Sequence, residues 1–438
     1  MQLLTKAPRG TQDILPKDSY KWQFIENIML NQAELFGFSE IRTPVFEHTE
    51  LFSRSVGEDT DVVQKEMYTF NDKGGRSITL RPEGTAGAVR AMLEHGLYNE
   101  SLPVKMSYIT LCYRYEKPQS GRWREFTQFG VEMFGASSAA ADAEVICLAK
   151  TLFDRLGLSN ISLEINSIGC PKCRAKYYEA LKKYFEGYKS ELCETCLSRL
   201  DRNPMRILDC KSLICSKIAE NAPAVLDFIC ADCKEHFEKL KEYLDAVSIE
   251  YTVNPKIVRG LDYYTRTVFE FVSKDKNTLG LVCGGGGRYD GLVEELGGKP
   301  TPALGFGLGI GRILLAMESQ GIEIPKTNVC DVYIASIGDA ASLFAFNLTR
   351  LLRESSFIAE YDTIGRGLKA QMKYADKIGA KFTLVLGDDE IASKKAKIKN
   401  MKTGDLLEIN LDKNFLTEFF KIHAEAENEK IFKNFSQK

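Results

Sequence analysis

The sequence predicts an α+β protein: a large antiparallel-sheet domain interrupted by a helical, cysteine-rich insertion and followed by a separate C-terminal α/β domain. Three observations carry this. Two runs between Tyr108 and Phe134 alternate apolar and polar residues at a period of two, on either side of a loop containing Pro and Gly. Eight of the twelve cysteines crowd between Cys170 and Cys233. Beyond about residue 330, strand-like and helix-like stretches alternate.

At 438 residues the chain has room for two or three domains with a sizeable core. Charged residues at 27% and apolar ones at 44% are ordinary for a globular protein and exclude disorder, collagen-like and coiled-coil architecture. A net charge of -2 gives no compositional case for nucleic acid, so any polyanion has to be met by local patches. The opening Met1–Lys6 lacks a long apolar core, and no run of about 18 apolar residues occurs. A soluble, cytoplasmic protein with no membrane segment is expected.

Taken in order, Lys17–Phe36 has apolar residues at helical spacing and is stopped by Gly37. Ser39–Arg42 reads as a strand closed by Pro44, and Thr49–Val56 as a short helix or loop. Glu66–Phe70 and Ser77–Arg81 form a hairpin about the turn Asn71–Gly75. Arg81-Pro82-Glu83-Gly84-Thr85 leads into a helix, Thr85–Glu94, with Thr85 as its cap; Glu83 just ahead of it suits an amino group.

In the first of the two alternating runs Ile109, Leu111, Tyr113 and Tyr115 share a face, and Thr110, Cys112, Arg114 and Glu116 share the other. In the second, Thr127, Phe129, Val131 and Met133 oppose Phe126, Gln128, Gly130 and Glu132. Such alternation usually puts one face in water. Here the polar face combines an arginine with carboxylates and an amide, which suits a small zwitterion beside a phosphate. Arg114 can grip phosphate bidentately, Glu132 and Gln128 can take amine or ring N–H donors, and Phe126 can stack on a base.

Ala139–Leu156 is a helix and Ile161–Asn166 a strand. Composition changes over Ser167–Val247, the insertion, before Tyr251–Val253 resumes strand character. Arg259-Gly260-Leu261-Asp262-Tyr263-Tyr264 precedes a strand at Thr267–Val272, then Leu279–Cys283 and four glycines, Gly284–Gly287, that let backbone pass close to a ligand. The Gly-rich run Leu304–Arg312 enters a helix reaching Glu318, and Gly321–Thr327 reads as a linker. In the final domain, strands Asp331–Ile337, Ile358–Tyr361 and Phe382–Leu386 alternate with helices Ala340–Glu354 and Gly367–Ile378. Lys395–Met401 and Leu406–Leu411 add a hairpin across Thr403-Gly404.

No phosphate-binding glycine loop of either common type is present. If ATP is bound, side chains must meet its phosphates, and Arg114, Arg259 and Arg312 each lie beside strand ends or glycines. Four histidines, none in a recognisable motif, argue against a hydrolase triad. Cys112 and Cys283 read as small core residues. The inserted cysteines, Cys170-x-x-Cys173 with Cys193-x-x-Cys196 and Cys210-x4-Cys215 with Cys230-x-x-Cys233, suggest two structural zinc sites closed to water. Lys369, Lys373, Lys377 and Lys381 recur at helical spacing, and Lys394, Lys395, Lys397, Lys399 and Lys402 cluster beyond. Solvated faces explain most such runs; a tRNA-binding patch is the sharper alternative.

Taken together, Arg9-Gly10-Thr11-Gln12-Asp13, Arg81-Pro82-Glu83-Gly84-Thr85, Tyr113-Arg114-Tyr115-Glu116 with Arg124-Glu125-Phe126, the Arg259 hexapeptide and the Gly-rich run ending in Arg312 resemble, in order, the motifs of bacterial histidyl-tRNA synthetases. These are class II aminoacyl-tRNA synthetases, and the hexapeptide is the motif that points to histidine. The resemblance implies a class II catalytic domain over about 1–325, an insertion at about 167–247 that contacts the tRNA acceptor arm, and an anticodon-binding domain over 330–438. It implies a homodimer through the Gly37–Gly57 motif, with ATP and Mg²⁺, L-histidine and tRNA-His as substrates and partners. By the same resemblance Arg114 and Arg312 hold the ATP phosphates, Glu116 and Phe126 the adenine, and Arg259 the α-phosphate region and the histidine carboxylate. Glu83, Thr85 and Gln128 take the α-amino group, Glu132 and Tyr264 the imidazole, Gly84 and Tyr263 also belong to the histidine site, and Gln119 meets the extra 5′ guanosine of the tRNA. A polar site of this kind rejects apolar competitors without editing, so no editing domain is expected.

Two rivals remain: a non-catalytic paralogue that binds histidine and regulates its biosynthesis, and a ligase of the same fold that acts without tRNA. Retention of the three arginines and of a C-terminal domain argues against both.

Overall fold

The computed structural model describes residues 5–57, 60–326 and 329–435. Met1–Leu4, part of the opening stretch that lacks a long apolar core, Thr327 at the end of the expected linker, and the last three residues lie outside them. The chain divides into two units, Met1–Ile324 and Pro325–Lys438.

In the first unit the strands are β1 (Ser39–Glu40), β2 (Phe46–His48), β3 (Tyr68–Asn71), β4 (Ser77–Leu80), β5 (Val104–Tyr113), β6 (Glu125–Phe134), β7 (Ile161–Ser167), β8 (Tyr251–Val253), β9 (Thr265–Ser273), β10 (Val282–Arg288) and β11 (Ala303–Gly309). Eight of them make one sheet in the order β1-β5-β6-β11-β10-β9-β7-β8, antiparallel except for the β1–β5 and β7–β8 pairs at its two edges. The apolar face of the second strand is real: Phe129, Val131 and Met133 are buried with Phe269, Phe271 and Leu304 beneath helices Pro16–Leu35, Ala139–Arg155 and Ile310–Ser319, whereas on the first strand Ile109 packs against this core and Leu111 is 40% exposed.

The opposite face is not in water either. Glu132 is 1% exposed, and helix Thr85–Glu94, Tyr263, Tyr264 and Tyr289 cover that side. The first strand also ends sooner than the alternation implies. After Tyr113 the chain leaves the ladder: the Tyr115 N–H donates to the Glu66 carbonyl at 2.7 Å, and the Tyr115 ring lies under the Arg124 guanidinium rather than on the apolar face.

Two further expectations are corrected. Gly284–Gly287 do not follow a strand; they are the strand, β10, hydrogen-bonded to β9 on one side and β11 on the other. Glycine lacks strand propensity, yet nothing larger fits between ladders this close, and a Cβ on Gly285 would sit 2.6 Å from Arg259 Nη1. Nor does Thr85 cap its helix. Thr85 is the first helical residue, and the Glu83 carboxylate accepts the N–H groups of Thr85 (2.7 Å) and Ala86 (2.8 Å).

The insertion is helical, with Pro171–Glu186, Glu194–Arg202, Leu213–Ala219 and Ala231–Ala246 as its α-helices. It is pinned to the sheet by a buried polar knot. Asp142 pairs with Arg288 Nε at 2.7 Å, meets His236 Nε2 at 2.7 Å and accepts the Thr267 hydroxyl at 2.6 Å.

The second unit has β12 (Val332–Ser336), β13 (Ala359–Tyr361), β14 (Phe382–Leu386), β15 (Lys395–Asn400) and β16 (Leu406–Asn410) in the order β13-β12-β14-β15-β16. The first three are parallel and the hairpin antiparallel, as the alternating pattern implies. The short helix Asp388–Ser393 and the long Phe415–Phe435 were not read from sequence. Among the described residues no helix is long and apolar enough to cross a membrane.

Candidate active site

A cleft of about 540 Å³ opens on the covered face of the sheet. Its walls include Glu83, Thr85, Arg114, Glu116, Gln119, Phe126, Gln128, Glu132, Arg259, Tyr263, Tyr264 and Arg312. These residues span more than half the chain, and strands β5, β6, β9, β10 and β11 bring them together. Of the residues expected to bind histidine, ATP or the 5′ end of the tRNA, only Gly84 does not line the cleft. Its N–H donates to Gln128 Oε1 at 3.1 Å and so orients the amide that does.

At one end sits a buried carboxylate. Glu132 accepts the Tyr108 hydroxyl at 2.8 Å and the Tyr289 hydroxyl as well. Burial pushes its carboxyl up to about 8, more than the donated hydrogen bonds of Tyr289 and Tyr108 pull it down. Glu83, also buried, is raised by desolvation against the helix N–H groups it accepts. Neither Tyr108 nor Tyr289 was assigned a role from sequence. Tyr108 lies on the polar side of a pattern that begins at Ile109, and Tyr289 lies two residues beyond the last glycine, in Arg288-Tyr289-Asp290.

The other end is cationic. Arg312 donates Nη1 to the Val282 carbonyl at 2.7 Å, and Arg114 donates Nε to the Pro82 carbonyl at 2.8 Å while lying 5.4 Å over the Phe126 ring. Arg312 is held below the usual guanidinium range, by burial first and then by the neighbouring charges of Arg122 and Arg114. Mutual repulsion among buried guanidinium groups is relieved when an anion enters. Arg122, in the hairpin loop, was missed from sequence; it pairs with Glu116 at 2.7 Å. Between the two ends Arg259 bonds Glu270 at 2.5 Å. Burial would lower Arg259, but Tyr264 and Glu270 outweigh it and raise it. Glu270 was also missed, although it occupies a polar position of an otherwise apolar strand.

The cysteines cluster, but not in the predicted pairs. Cys170 and Cys173 join Cys230 and Cys233, and Cys193 and Cys196 join Cys210 and Cys215. The nearest-neighbour pairing in sequence fails because each C-x-x-C opens a helix, with its first cysteine at the N-cap and its second one turn in, and helix packing decides which N-termini meet. The described cysteines form no disulfide. Sulfurs of one group lie 3.5 Å (Cys170–Cys173) and 3.9 Å (Cys173–Cys233) apart, and in the other Cys193 and Cys210 are 3.9 Å apart. Four thiolates about 2.3 Å from a tetrahedral zinc stand about 3.8 Å from one another, so both groups fit that ion. The backbone N–H groups of Cys230 and Cys193 already point at sulfurs, at 3.0 and 3.3 Å. Burial would raise Cys170 and Cys193, but hydrogen bonds from the main chain and neighbouring thiols bring both down to about 7.

An antiparallel sheet flanked by helices, cut by an insertion and bearing a cleft with arginines at one end and carboxylates at the other, defines a class II aminoacyl-tRNA synthetase. Residues 10–203 and 211–313 match the family described as histidyl-tRNA synthetase, and residues 331–418 match the anticodon binding domain. The chain is 58% identical over 410 residues to the histidine–tRNA ligase of Caldanaerobacter subterraneus, covering 94% of this chain and 98% of that one. Identity to the enzyme of the same name from Acetivibrio thermocellus is 57% with the same coverage. The apo histidyl-tRNA synthetase of S. aureus superposes with a TM-score of 0.82 at 43% identity, covering 95% of this chain and all of that one. The chain belongs to the histidyl-tRNA synthetase family.

Proposed function

We propose that this protein charges tRNA-His with L-histidine at the expense of ATP. The observation that carries this reading is a single cleft holding a buried carboxylate for the imidazole at one end and, at the other, three arginines, Arg114, Arg122 and Arg312, gathered about the one carboxylate of Glu116. A carboxylate oxygen of histidine attacks the α-phosphorus of ATP, a P–O bond breaks and pyrophosphate leaves. The 3′-terminal hydroxyl of the tRNA then attacks the carbonyl of the adenylate and AMP departs. Both steps call for alignment and charge neutralisation rather than an enzyme nucleophile. Mg²⁺ carried with the nucleotide supplies further positive charge at the phosphates.

In this reading Arg114 and Arg312 bind the phosphates, while Glu116 and Phe126 bind the adenine. Arg259 spans the α-phosphate and the histidine carboxylate. Glu83, Thr85 and Gln128 take the α-amino group, and Glu132 with Tyr264 takes the imidazole, whose one donor and one acceptor they match. Gln119, in the loop at the mouth of the cleft, is assigned to the 5′ end of the tRNA. The two cysteine groups hold structural zinc ions. Exposed Lys369, Lys373 and Lys377 contribute to the tRNA surface. Lys381 does not, because it is bound to Asp331 and Glu427. The protein acts as a cytoplasmic homodimer. Exposed Val45 and Phe46, the latter on edge strand β2, favour an interface within Gly37–Gly57.

Pyrophosphate exchange measured with each amino acid in turn tests the reading: histidine alone should support it. Exchange without subsequent tRNA charging would instead favour the ligase that acts without tRNA.

A further inference from the structure

The insertion reaches into the catalytic layer and grips the histidine-type hexapeptide. Arg206, in the short turn Pro204–Ile207, is 7% exposed. Its Nε and Nη2 donate to Asp262 Oδ1 at 3.0 and 2.6 Å, and its Nη1 donates to the Arg259 carbonyl at 2.9 Å. Asn203 adds a bond from Nδ2 to the same Asp262 oxygen at 3.0 Å. The backbone they hold is unusual, for Arg259 has φ +59°, in the left-handed region that non-glycine residues rarely adopt. Such a conformation persists only when its surroundings over-determine it. Here it sends the side chain to Glu270 and over the Tyr264 ring.

The loop that carries Asn203 and Arg206 is itself tied at both ends by one cysteine group, with Cys193 and Cys196 before it and Cys210 and Cys215 after it. Asp209 and Lys211, on either side of Cys210, already line the cleft. Met205 and Ile207 bury part of this loop in the core, and an ion bridging its two ends removes most of its remaining open conformations.

We propose that Arg206 and Asn203 are positioning residues for Arg259, and that a zinc ion on Cys193, Cys196, Cys210 and Cys215 keeps them in place, so that histidine recognition depends on a metal that touches no substrate. This rests on the reading of Arg259 as the ligand of the histidine carboxylate.

The test uses full-length protein purified without chelator, with bound metal counted and exchange kinetics recorded against histidine and against ATP. Arg206→Met should raise the KM for histidine about tenfold, below the roughly 10²-fold that a 1 Å displacement can cost, raise the KM for ATP less, because Arg114 and Arg312 still hold the phosphates, and leave the metal content unchanged. Arg206→Lys, which keeps a donor for Asp262 but lacks the fork that also reaches Arg259, should fall between. Cys193→Ser with Cys210→Ser should lose one metal ion and reproduce the shift, larger for histidine than for ATP. Cys170→Ser with Cys230→Ser should lose the other ion and leave the KM for histidine as in the wild type. An unchanged histidine KM in Arg206→Met, where Arg259→Ala has abolished exchange, overturns the proposal. So does a Cys193→Ser, Cys210→Ser variant that lacks its ion yet binds histidine normally, or an equal rise in both KM values. Wild-type protein free of metal overturns the metal half, and normal exchange in Arg259→Ala overturns the assignment of Arg259 instead.

Discussion

Gly305 in β11 stands directly opposite Glu132 in β6 across the antiparallel ladder, and the Glu132 carboxylate folds over the space a side chain at 305 would need. A Cβ there would lie 2.9 Å from Glu132 Cδ and closer still to Glu132 Oε2 and the Val131 carbonyl oxygen. The absence of a side chain on one strand is therefore what lets the neighbouring strand keep a buried acid aimed into the cleft.

Gly305→Ala should accordingly displace Glu132 and lower the kcat/KM for histidine by about 10²-fold, the scale of a 1 Å misplacement, while the circular dichroism spectrum stays that of the parent. Isothermal titration with histidine alone would separate lost binding from lost chemistry. Unaltered histidine affinity would mean the carboxylate is not where the imidazole docks.

Arg259→Ala removes the cation between the two ends of the cleft and leaves Glu270 without its 2.5 Å partner. Adenylate formation should fall by several orders of magnitude with a modest change in fold. Near-normal histidine-dependent exchange in that variant would contradict the assignment.

The pH dependence of stability follows from Glu132. Its folded value, about 8, lies above the ordinary 4.5 because burial penalises the charged form. The stability it contributes is fully present below about 4.5 and is lost as pH rises through about 8. Glu132→Gln stays neutral throughout, so the variant should gain on the wild type steadily across that window and hold its advantage above it. Urea midpoints taken from pH 5 to pH 9 would read this out, and parallel curves would show that Glu132 is ionised in the native state.

Asp142 is 1% exposed and joins Arg288, His236 and Thr267, residues from two strands of the sheet and one helix of the insertion. Asp142→Ala strands the fully buried Arg288 guanidinium beside little more than main-chain carbonyls and Asp290. A loss of about 3–5 kcal/mol is expected, as for other broken buried pairs, measured by denaturant unfolding.

Metal removal should act on the insertion rather than on the sheet. If both cysteine groups hold zinc, a strong chelator should release two ions per chain and lower the thermal midpoint. Cys173→Ser should release one, since Cys173 bonds sulfurs on both sides of its group.

Much of this was legible in the amino-acid sequence. Period-two alternation placed Gln128, Glu132 and Phe126 on one face, the paired cysteines marked the insertion, and the motif around Arg259 pointed to histidine. What patterns along a chain cannot carry is which distant segments meet. The cysteine groups interleave because helix N-termini converge in space, not because their motifs are consecutive. Gly284–Gly287 form a strand because close-packed ladders on both sides override propensity. Glu83, not Thr85, caps its helix because its carboxylate is buried at the N-terminus where free N–H groups await an acceptor. Local spacing determined the chemistry on offer; only long-range packing, which sets burial, decided that the Glu132 carboxyl is lifted above its ordinary range, that Arg312 sits among like charges, and that Arg206 grips Arg259 from the insertion.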